Sequence, residues 1–180
     1  YYLTYYQPDS LDNLKLEISP AGQQKSAYII NKMDGFESKY SVISLAEANV
    51  KHGFYKTIEH NLFHHGRFVL WGGFGKPNKI IRRLHYYYRR AQLEQFLSGL
   101  KSNDTVIAYH SLQTADIFYK YKRKKRFKFV LELEEIYQDV VNCGPQKAAW
   151  ERKVIMAADG YILATEALSK EIPAERPYIV

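Results

Sequence analysis

Cysteine is nearly absent from this sequence. Its one thiol, Cys143, has no partner within the chain, so an intramolecular disulfide framework is excluded and the composition fits a reducing compartment. No run of about 18 consecutive apolar residues occurs, which argues against a membrane-spanning helix, and no secretory signal peptide is visible. The chain begins at Tyr1 without methionine and ends within the apolar run Tyr178–Val180, so we expect it to be part of a longer protein.

Three motifs of common enzyme classes are missing as well. No G-x-G-x-x-G follows the first predicted strand, and neither a P-loop nor a G-x-S-x-G pentapeptide occurs. The sequence therefore carries no dinucleotide fingerprint, no Walker-type phosphate loop and no nucleophile elbow. The glycine cluster Gly72–Gly75 follows no buried strand of a βαβ unit, and we interpret it as a turn.

Positive charge is in excess. The 180 residues include 26 Lys and Arg against 19 Asp and Glu, for a formal net charge of +7. This balance favours an anionic partner, which could be a nucleotide, a phosphorylated lipid, a membrane surface or nucleic acid. Hydrophobic residues make up 46% of the chain, and the length predicts a single domain over residues 1–180.

The stretch Phe127–Glu135, FKFVLELEE, is the clearest predicted strand. Its apolar centre lies between a basic run and a group of carboxylates, which is typical of a buried strand in an α/β sheet. Thr105–Tyr109 and Tyr161–Ala164 are further predicted strands, and they alternate with predicted helices at Ser111–Lys124 and Gln146–Ala158. This alternation predicts an α/β fold, a Rossmann-like parallel sheet with helices on both faces.

The first third of the chain continues this rhythm. A strand in Tyr1–Tyr6 is followed by a loop, Gln7–Pro20, and by a helix that begins near Ala21-Gly22 and ends at Asp34. Its predicted apolar face contains Tyr28, Ile29, Ile30 and Met33. A second strand over Lys39–Leu45 then completes a β–loop–α–β order.

The middle of the chain differs. Gly53–His60 alternates apolar and polar residues, and His65–Trp71 does so less regularly, which predicts a small β-hairpin insertion or two short edge strands. The longest predicted helix, Asn78–Leu100, follows, with Pro77 in its first turn. Its predicted apolar face consists of Ile80, Ile81, Leu84, Tyr88, Leu93, Phe96, Leu97 and Leu100, and its basic face of Lys79, Arg82, Arg83, Arg89 and Arg90.

Polar residues collect where the predicted strands end, which is the edge at which α/β sheets bind ligands. They are Gly22 at the end of the first loop, His110, Ser111, Glu132, Glu134, Glu135, Thr165 and Glu166. A histidine, several carboxylates and helix amino termini on one edge suit a polar substrate such as a sugar. Taken singly, each residue is better explained as a turn residue, with Ser111 or Thr165 as a helix N-cap. Their coincidence on one edge favours a site.

Other candidate sites are weaker. His60, His64 and His65 have no carboxylate or cysteine at ligand spacing, so we predict surface histidines and no metal site. Cys143 has no evident activating base, and the basic run Lys122–Lys128 is better explained as a solvated turn than as a nucleic-acid site.

The long helix interleaves cationic residues with tyrosines. The cations are Arg82, Arg83, Arg89 and Arg90, and the tyrosines are Tyr86, Tyr87 and Tyr88. A basic amphipathic helix of this kind can lie peripherally on an anionic membrane surface. A merely solvated helix face explains the pattern equally well.

Several segments together resemble a known family. They are the polar loop before the Ala21-Gly22 helix, the strand VIAYH ending in Tyr109-His110, and ADGYILATEALSKEIP over residues 158–173 followed by PYIV. Their order is similar to the N-terminal domain of GT-B glycosyltransferases of the retaining, family-four type, over most of the chain. The usual glycine-rich first loop is reduced to Ser19–Gly22, and Phe127–Glu135 ends in glutamates where many members carry histidine.

The resemblance implies one Rossmann-like half of a GT-B fold, with the C-terminal nucleotide-sugar domain missing from this chain. It implies the acceptor-binding half of an enzyme that moves a sugar from a nucleotide-sugar to a glycan or lipid-linked acceptor with retention. Such an enzyme needs no metal or cofactor and serves polysaccharide or glycolipid assembly in the cytoplasm, at the inner face of the membrane.

By the same resemblance, His110 would contact the donor sugar near the reacting carbon, and Gly22 would let a helix amino terminus approach the donor phosphate. Thr165 and Glu166 would line the cleft. From their position alone, Glu134 or Glu135 could hold acceptor hydroxyls.

Two other classes stay open. One is a non-catalytic α/β module that binds a nucleotide or a protein. The other is a nucleic-acid-binding domain driven by charge, for which neither stacking aromatics nor a recognition helix is evident.

Overall fold

The structure is a computed structural model that describes residues 1–14, 16, 18–36, 38–47, 53–75, 78–140 and 143–180. These residues form two compact units, Tyr1–Gln92 and Leu93–Val180, and the boundary falls within the long helix. Each unit contains a mostly parallel sheet whose strands are connected through helices. The predicted α/β class with Rossmann-like sheet topology is confirmed. The assignment of residues 1–180 to one domain stays a prediction.

The first unit contains four strands in the order β1-β2-β5-β4, and a separate pair, β3-β6. Its elements are β1 (Tyr2–Thr4), a 3-10 helix (Asp9–Leu14), α1 (Pro20–Asp34), β2 (Tyr40–Ser44), β3 (Phe54–Tyr55), β4 (Ile58–Leu62), β5 (Gly66–Leu70), β6 (Gly73–Phe74) and the beginning of α2 (Lys79–Gly99). β1, β2 and β5 run parallel, and β4 runs antiparallel to β5 at the edge.

Helix α1 begins where the sequence predicts. The Ser19 hydroxyl accepts a hydrogen bond from the Gly22 amide at 3.2 Å, and Pro20 occupies the first turn, where its missing N–H is not needed. Ile29 and Ile30 are buried as predicted, but Tyr28 is 62% exposed. The apolar stripe is thus narrower than the sequence pattern indicates.

The predicted hairpin is confirmed, but it is more than an insertion. β4 and β5 pair antiparallel across the turn at Phe63, and β5 also pairs in parallel with β2, so it is an internal strand of the sheet. The predicted turn over Gly72–Gly75 is wrong in part, because Gly73–Phe74 forms β6 against β3. A Cβ atom at Gly73 would lie 2.5 Å from the Tyr55 hydroxyl, so only glycine permits this close pairing.

The second unit has the strand order β7-β8-β9-β10, with all pairs parallel. Its elements are β7 (Thr105–Tyr109), α3 (Ala115–Lys124), β8 (Lys128–Leu133), α4 (Tyr137–Val140), α5 (Pro145–Ala157), β9 (Gly160–Leu163), a 3-10 helix (Glu166–Glu171) and β10 (Tyr178–Ile179). The predicted strand Thr105–Tyr109 is confirmed residue for residue. Phe129, stacked on Phe118 with ring centroids 5.2 Å apart, lies at the centre of the core.

Asp159 holds together the amino ends of β8 and β9. Its carboxylate accepts a hydrogen bond from the Phe129 amide at 2.8 Å and one from Lys122 Nζ at 2.5 Å. Its own amide donates to the Phe129 carbonyl at 2.7 Å. Asp159, the second residue of the segment ADGYILATEALSKEIP, therefore stabilises the start of two strands.

Helix α2 differs from its predicted faces in its first half. Ile80 and Leu84 are 72% and 54% exposed, whereas His85 is 1% exposed. His85 is accommodated because its Nδ1 accepts the Phe74 amide at 3.3 Å and its Nε2 lies 3.3 Å from Glu47 Oε1. Pro77, predicted in the first turn, lies outside the described residues.

The assignment of Arg89 to the solvated basic face is wrong. Its guanidinium is half-buried and donates to the carbonyls of Trp71 at 2.9 Å and Ser44 at 3.3 Å, close to the ends of β5 and β2. Burial lowers the pKa of this guanidinium. Arg82 and Arg83 are exposed as predicted, and Arg90 is half-buried. No helix in the described part of the chain is long and apolar enough to cross a bilayer.

Candidate functional site

The strand ends of the second unit bring most of the predicted site residues to one edge of its sheet. Tyr109 pairs with Glu132, and the His110 amide donates to the Glu132 carbonyl at 2.9 Å, so the ends of β7 and β8 are level. β9 ends level with them, because Leu133 pairs with Leu163. The residues that follow these strands are His110 and Ser111, Glu134 and Glu135, and Thr165 and Glu166.

His110 lies beneath this edge and is 1% exposed. Its Nε2 is 3.5 Å from Glu151 Oε1, and its ring centroid is 5.1 Å from that of Tyr137. Burial lowers the pKa of His110 from 6.5 to about 4, and the backbone of Glu135 partly opposes this lowering. The imidazole is consequently neutral at pH 7, and neither of its buried nitrogens makes a hydrogen bond to a described residue.

Glu151 is a member of this cluster that the sequence analysis missed. It projects from α5, is 1% exposed, and accepts a hydrogen bond from the Tyr137 amide at 2.7 Å. The signal was present in the sequence, because Glu151 precedes the buried residues Val154 and Ile155 by three and four positions. A carboxylate on the apolar face of a helix indicates a buried polar contact.

The other side chains at this edge range from buried to exposed. Glu132 is 1% exposed, Glu134 is half-buried, and Glu135, Thr165 and Glu166 are exposed. Burial, and next the neighbouring Tyr137 hydroxyl, raise the pKa of Tyr109. The edge thus combines a buried histidine and two buried carboxyl groups with accessible carboxylates.

The predicted N-cap roles are not what these hydroxyls do. Ser111 Oγ accepts from the Gln113 amide at 3.3 Å, in a turn that precedes α3. Thr165 stands before the 3-10 helix, and its hydroxyl makes no capping hydrogen bond to a described residue. The Glu166 carboxylate accepts from the Tyr178 hydroxyl at 2.6 Å. Ser111 and Thr165 can therefore face a ligand without uncapping a helix.

Gly22 lies in the other unit. Its amide is held by Ser19 in the first turn of α1, and Gln23 ties the preceding loop to the helix, since Gln23 Oε1 accepts from the Gln7 amide at 3.0 Å. Part of the predicted loops, at residues 15, 17 and 141–142, lies outside the described residues. The role of Gly22 stays a prediction.

Metal ligands do not gather in the part of the chain that the structure describes, where no three His, Cys, Asp or Glu side chains could hold one ion. His60, His64 and His65 are exposed, as predicted for surface histidines. The edge carries carboxylates and hydroxyls, which are groups that can hydrogen-bond a polar ligand.

No protein-family model and no curated protein matches the sequence. Solved structures do match. A UDP-forming α,α-trehalose-phosphate synthase from Burkholderia xenovorans, in complex with glucose-6-phosphate, has a TM-score of 0.56 at 8% identity, over 93% of this chain and 40% of that one. A second structure from Burkholderia xenovorans has a TM-score of 0.57 at 9% identity, and one from Burkholderia multivorans has 0.55 at 10%, each over 94% of this chain and 40% of the neighbour.

These neighbours are GT-B glycosyltransferases, and identities this low show the fold alone. The chain therefore has the Rossmann-like fold of one half of a GT-B glycosyltransferase, and it spans about 40% of the length of the structures it matches. The family-four type predicted from the sequence is not supported by these neighbours, which are trehalose-phosphate synthases.

Proposed function

We propose that this chain is the acceptor-binding half of a glycosyltransferase that moves a sugar from a nucleotide-sugar to an acceptor with retention of configuration. The likeness to one GT-B half over 93% of the chain carries the proposal. The polar edge at the ends of β7, β8 and β9 supports it, because α/β sheets bind ligands at this edge. A second domain would supply most of the nucleotide-sugar site.

The structures that match this chain suggest which donors and acceptors to test first. One of them is UDP-forming and was crystallised with glucose-6-phosphate. For this chain we propose a uridine-type sugar nucleotide as donor, and a sugar, a sugar phosphate, a glycan or a lipid-linked sugar as acceptor. The donor is a substrate, and the proposal includes no cofactor.

His110 is proposed to hydrogen-bond a hydroxyl of the donor sugar near the reacting carbon. A neutral imidazole suits this task, since it can donate through one nitrogen and accept through the other. At 1% exposure the ring is covered, so contact with a sugar requires that the Tyr137 ring moves aside. Glu151 then keeps the imidazole oriented while the ligand is bound.

The exposed carboxylates have a different proposed role. Glu134 and Glu135 follow β8 and can accept hydrogen bonds from acceptor hydroxyls, and Ser111, Thr165 and Glu166 complete the edge. Gly22, at the start of α1, is proposed to let the helix amino terminus approach the donor phosphate. Such fixed donors and acceptors align the reacting groups, which is how binding energy lowers the barrier of a transfer.

A peripheral contact with an anionic membrane belongs to the same proposal. Arg83 lies over the Tyr87 ring at 5.8 Å and Arg90 over Tyr86 at 5.4 Å, and Leu84 beside them is exposed. This surface of α2 combines cations with interfacial aromatics, as helices that lie on membranes do. Arg83→Gln should reduce sedimentation with phosphatidylglycerol vesicles, and Lys124→Gln on α3 should not.

The test of transfer is a donor screen with the full-length protein. Release of nucleoside diphosphate is measured for a panel of UDP-, GDP- and ADP-sugars, with and without sugar and sugar-phosphate acceptors. We expect turnover of one donor, reduced at least about tenfold in Glu134→Gln and more in His110→Ala. His60→Ala is the matched control, because His60 is exposed in the other unit.

His110→Ala leaves a cavity that can unfold the unit. His110→Asn is therefore included, because its amide fills part of that space and can still donate and accept hydrogen bonds. If the full-length protein is folded by circular dichroism and turns over no donor, the transfer proposal is wrong. Saturable binding of a nucleotide without turnover would favour the alternative, a non-catalytic α/β nucleotide- or protein-binding module.

A further inference from the structure

A second polar surface lies within the first unit, at the amino ends of β2 and β5. Arg67 on β5 pairs with Ser41 on β2 and with Asn61 on β4, so these three side chains share one face of the sheet. Lys39 and His65 lie just before β2 and β5, at the amino ends of these strands. Strand spacing of about 4.8 Å sets the distance between these positions.

These residues border a pocket of about 490 Å³. The lining is Lys39, Tyr40, Ser41, Asn61, Phe63, His64, His65, Gly66 and Arg67. This volume is within the range of about 300–1,000 Å³ that is usual for small-molecule sites. The pocket is at the amino ends of β2 and β5, and none of its residues belongs to the transfer site proposed above.

The wall of this pocket is rigidly built. The Tyr40 hydroxyl donates to Asp34 Oδ1 at 3.1 Å, and the His65 amide donates to the same oxygen at 3.4 Å. Burial, and next the hydrogen bond to Asp34, raise the pKa of Tyr40. A Cβ atom at Gly66 would lie 2.5 Å from the Tyr40 ring, so glycine is required for this wall.

Cationic and aromatic groups project from the wall. Lys39 is exposed, and Arg67 is 54% exposed and paired with the equally exposed Glu59 at 3.2 Å. An exposed pair contributes little, so an anion can compete for the guanidinium. Phe63 is 59% exposed and has a φ of 45°, a conformation that a bulky residue rarely adopts. Strain of this kind is concentrated at ligand-binding positions.

We propose that this pocket binds a small phosphorylated molecule, such as a sugar phosphate or a nucleotide. Lys39 and Arg67 hold the phosphate, Ser41 and Asn61 hydrogen-bond it or the hydroxyls beside it, and Phe63 packs against the organic ring. A phosphomonoester fits better than a carboxylate, because its two charges can be shared by Lys39 and by Arg67 once the anion displaces Glu59. The net charge of +7 favours such a ligand.

Phosphate binding at this pocket is independent of transfer activity and is measured on the full chain. Inorganic phosphate, glucose 6-phosphate and glucose are titrated separately by calorimetry at low salt. We expect both phosphates to bind at one shared site and glucose not to bind. Lys39→Gln and Arg67→Gln should each weaken binding about tenfold, since each loses a charge-assisted hydrogen bond.

Two further variants locate the ligand. Asparagine tolerates the positive φ at position 63. Phe63→Asn should weaken the binding of glucose 6-phosphate and leave the affinity for inorganic phosphate unchanged. Lys124→Gln on α3 is the matched control, because it removes an exposed lysine from the other unit. It should change neither the affinity for glucose 6-phosphate nor that for inorganic phosphate.

Several results would overturn the proposal. They are no saturable phosphate binding by the folded chain, affinity unchanged in both Lys39→Gln and Arg67→Gln, or a loss of affinity that follows Glu134→Gln instead. The proposal would also be overturned if Lys39 and Arg67 bound only anionic vesicles or single-stranded nucleic acid and no small phosphate.

Discussion

Acidification is expected to destabilise the second unit through His110. The pKa of this imidazole is about 4 in the folded chain, against 6.5 for an unperturbed histidine. As the pH falls below 6.5, the unfolded chain binds a proton that the folded chain refuses, so stability decreases with falling pH. The two pKa values correspond to about 3 kcal/mol in total, of which about 2.5 kcal/mol is lost by about pH 4.5.

A loss of this size is measurable because domains have only about 5–15 kcal/mol of stability. Urea unfolding is followed at several pH values from about 7.5 to 4.5, for the wild type and for His110→Gln. The wild type should lose about 2.5 kcal/mol more than the variant over this range. His60→Gln, which replaces an exposed histidine, should follow the wild type. Titration of the imidazole by NMR gives its folded-state pKa directly.

The outcome depends on which effect dominates at His110. Burial disfavours the imidazolium, whereas an ionised Glu151 at 3.5 Å would favour it. A folded-state pKa of 6.5 or higher would falsify the burial argument. His110 would then be cationic near neutral pH, and its proposed role would have to change from hydrogen bonding to charge stabilisation or proton donation.

Other predictions concern stability, and each is measured by urea unfolding. Asp159→Ala should destabilise the chain by about 2 kcal/mol, because it leaves the Phe129 amide without its acceptor and removes one of the two acceptors of Lys122. Asp159→Asn, which keeps an acceptor, should have a smaller effect, and equal effects would contradict this explanation. Gly66→Ala should destabilise by about 1–3 kcal/mol, since its Cβ would meet the Tyr40 ring. Gly99→Ala, at the end of α2 with open space around it, should be neutral or stabilising by up to about 1 kcal/mol.

Local pattern predicted the α/β elements well. Thr105–Tyr109 is a continuous apolar run of strand length, and its bounds agree with the structure to the residue. The start of α1 was predictable because Ser19, Pro20 and the Gly22 amide act within one turn. Alternation indicated a hairpin or two short edge strands in the region that forms β4 and β5, but it did not give the bounds of β4. In each case the determining interactions are between residues close in sequence.

Contacts between distant residues account for the errors. Periodicity places Leu84 on the apolar face of α2, yet His85 is the buried residue. Its Nδ1 accepts the Phe74 amide, and its Nε2 lies 3.3 Å from Glu47 Oε1. Charge places Arg89 on the solvated face, yet two strand-end carbonyls accept its hydrogen bonds. Neither partner set can be found by spacing along the chain.

The sequence by itself determined the fold class, the order of strands and helices in the second unit, and the residues that follow each strand there. It did so because apolar periodicity and turn residues act locally. Tertiary structure alone decided that His110 is covered and neutral, that Glu151 joins it, and that Lys39 and Arg67 border one pocket. Burial and cross-strand register set those properties, and both arise only when segments far apart in sequence pack together.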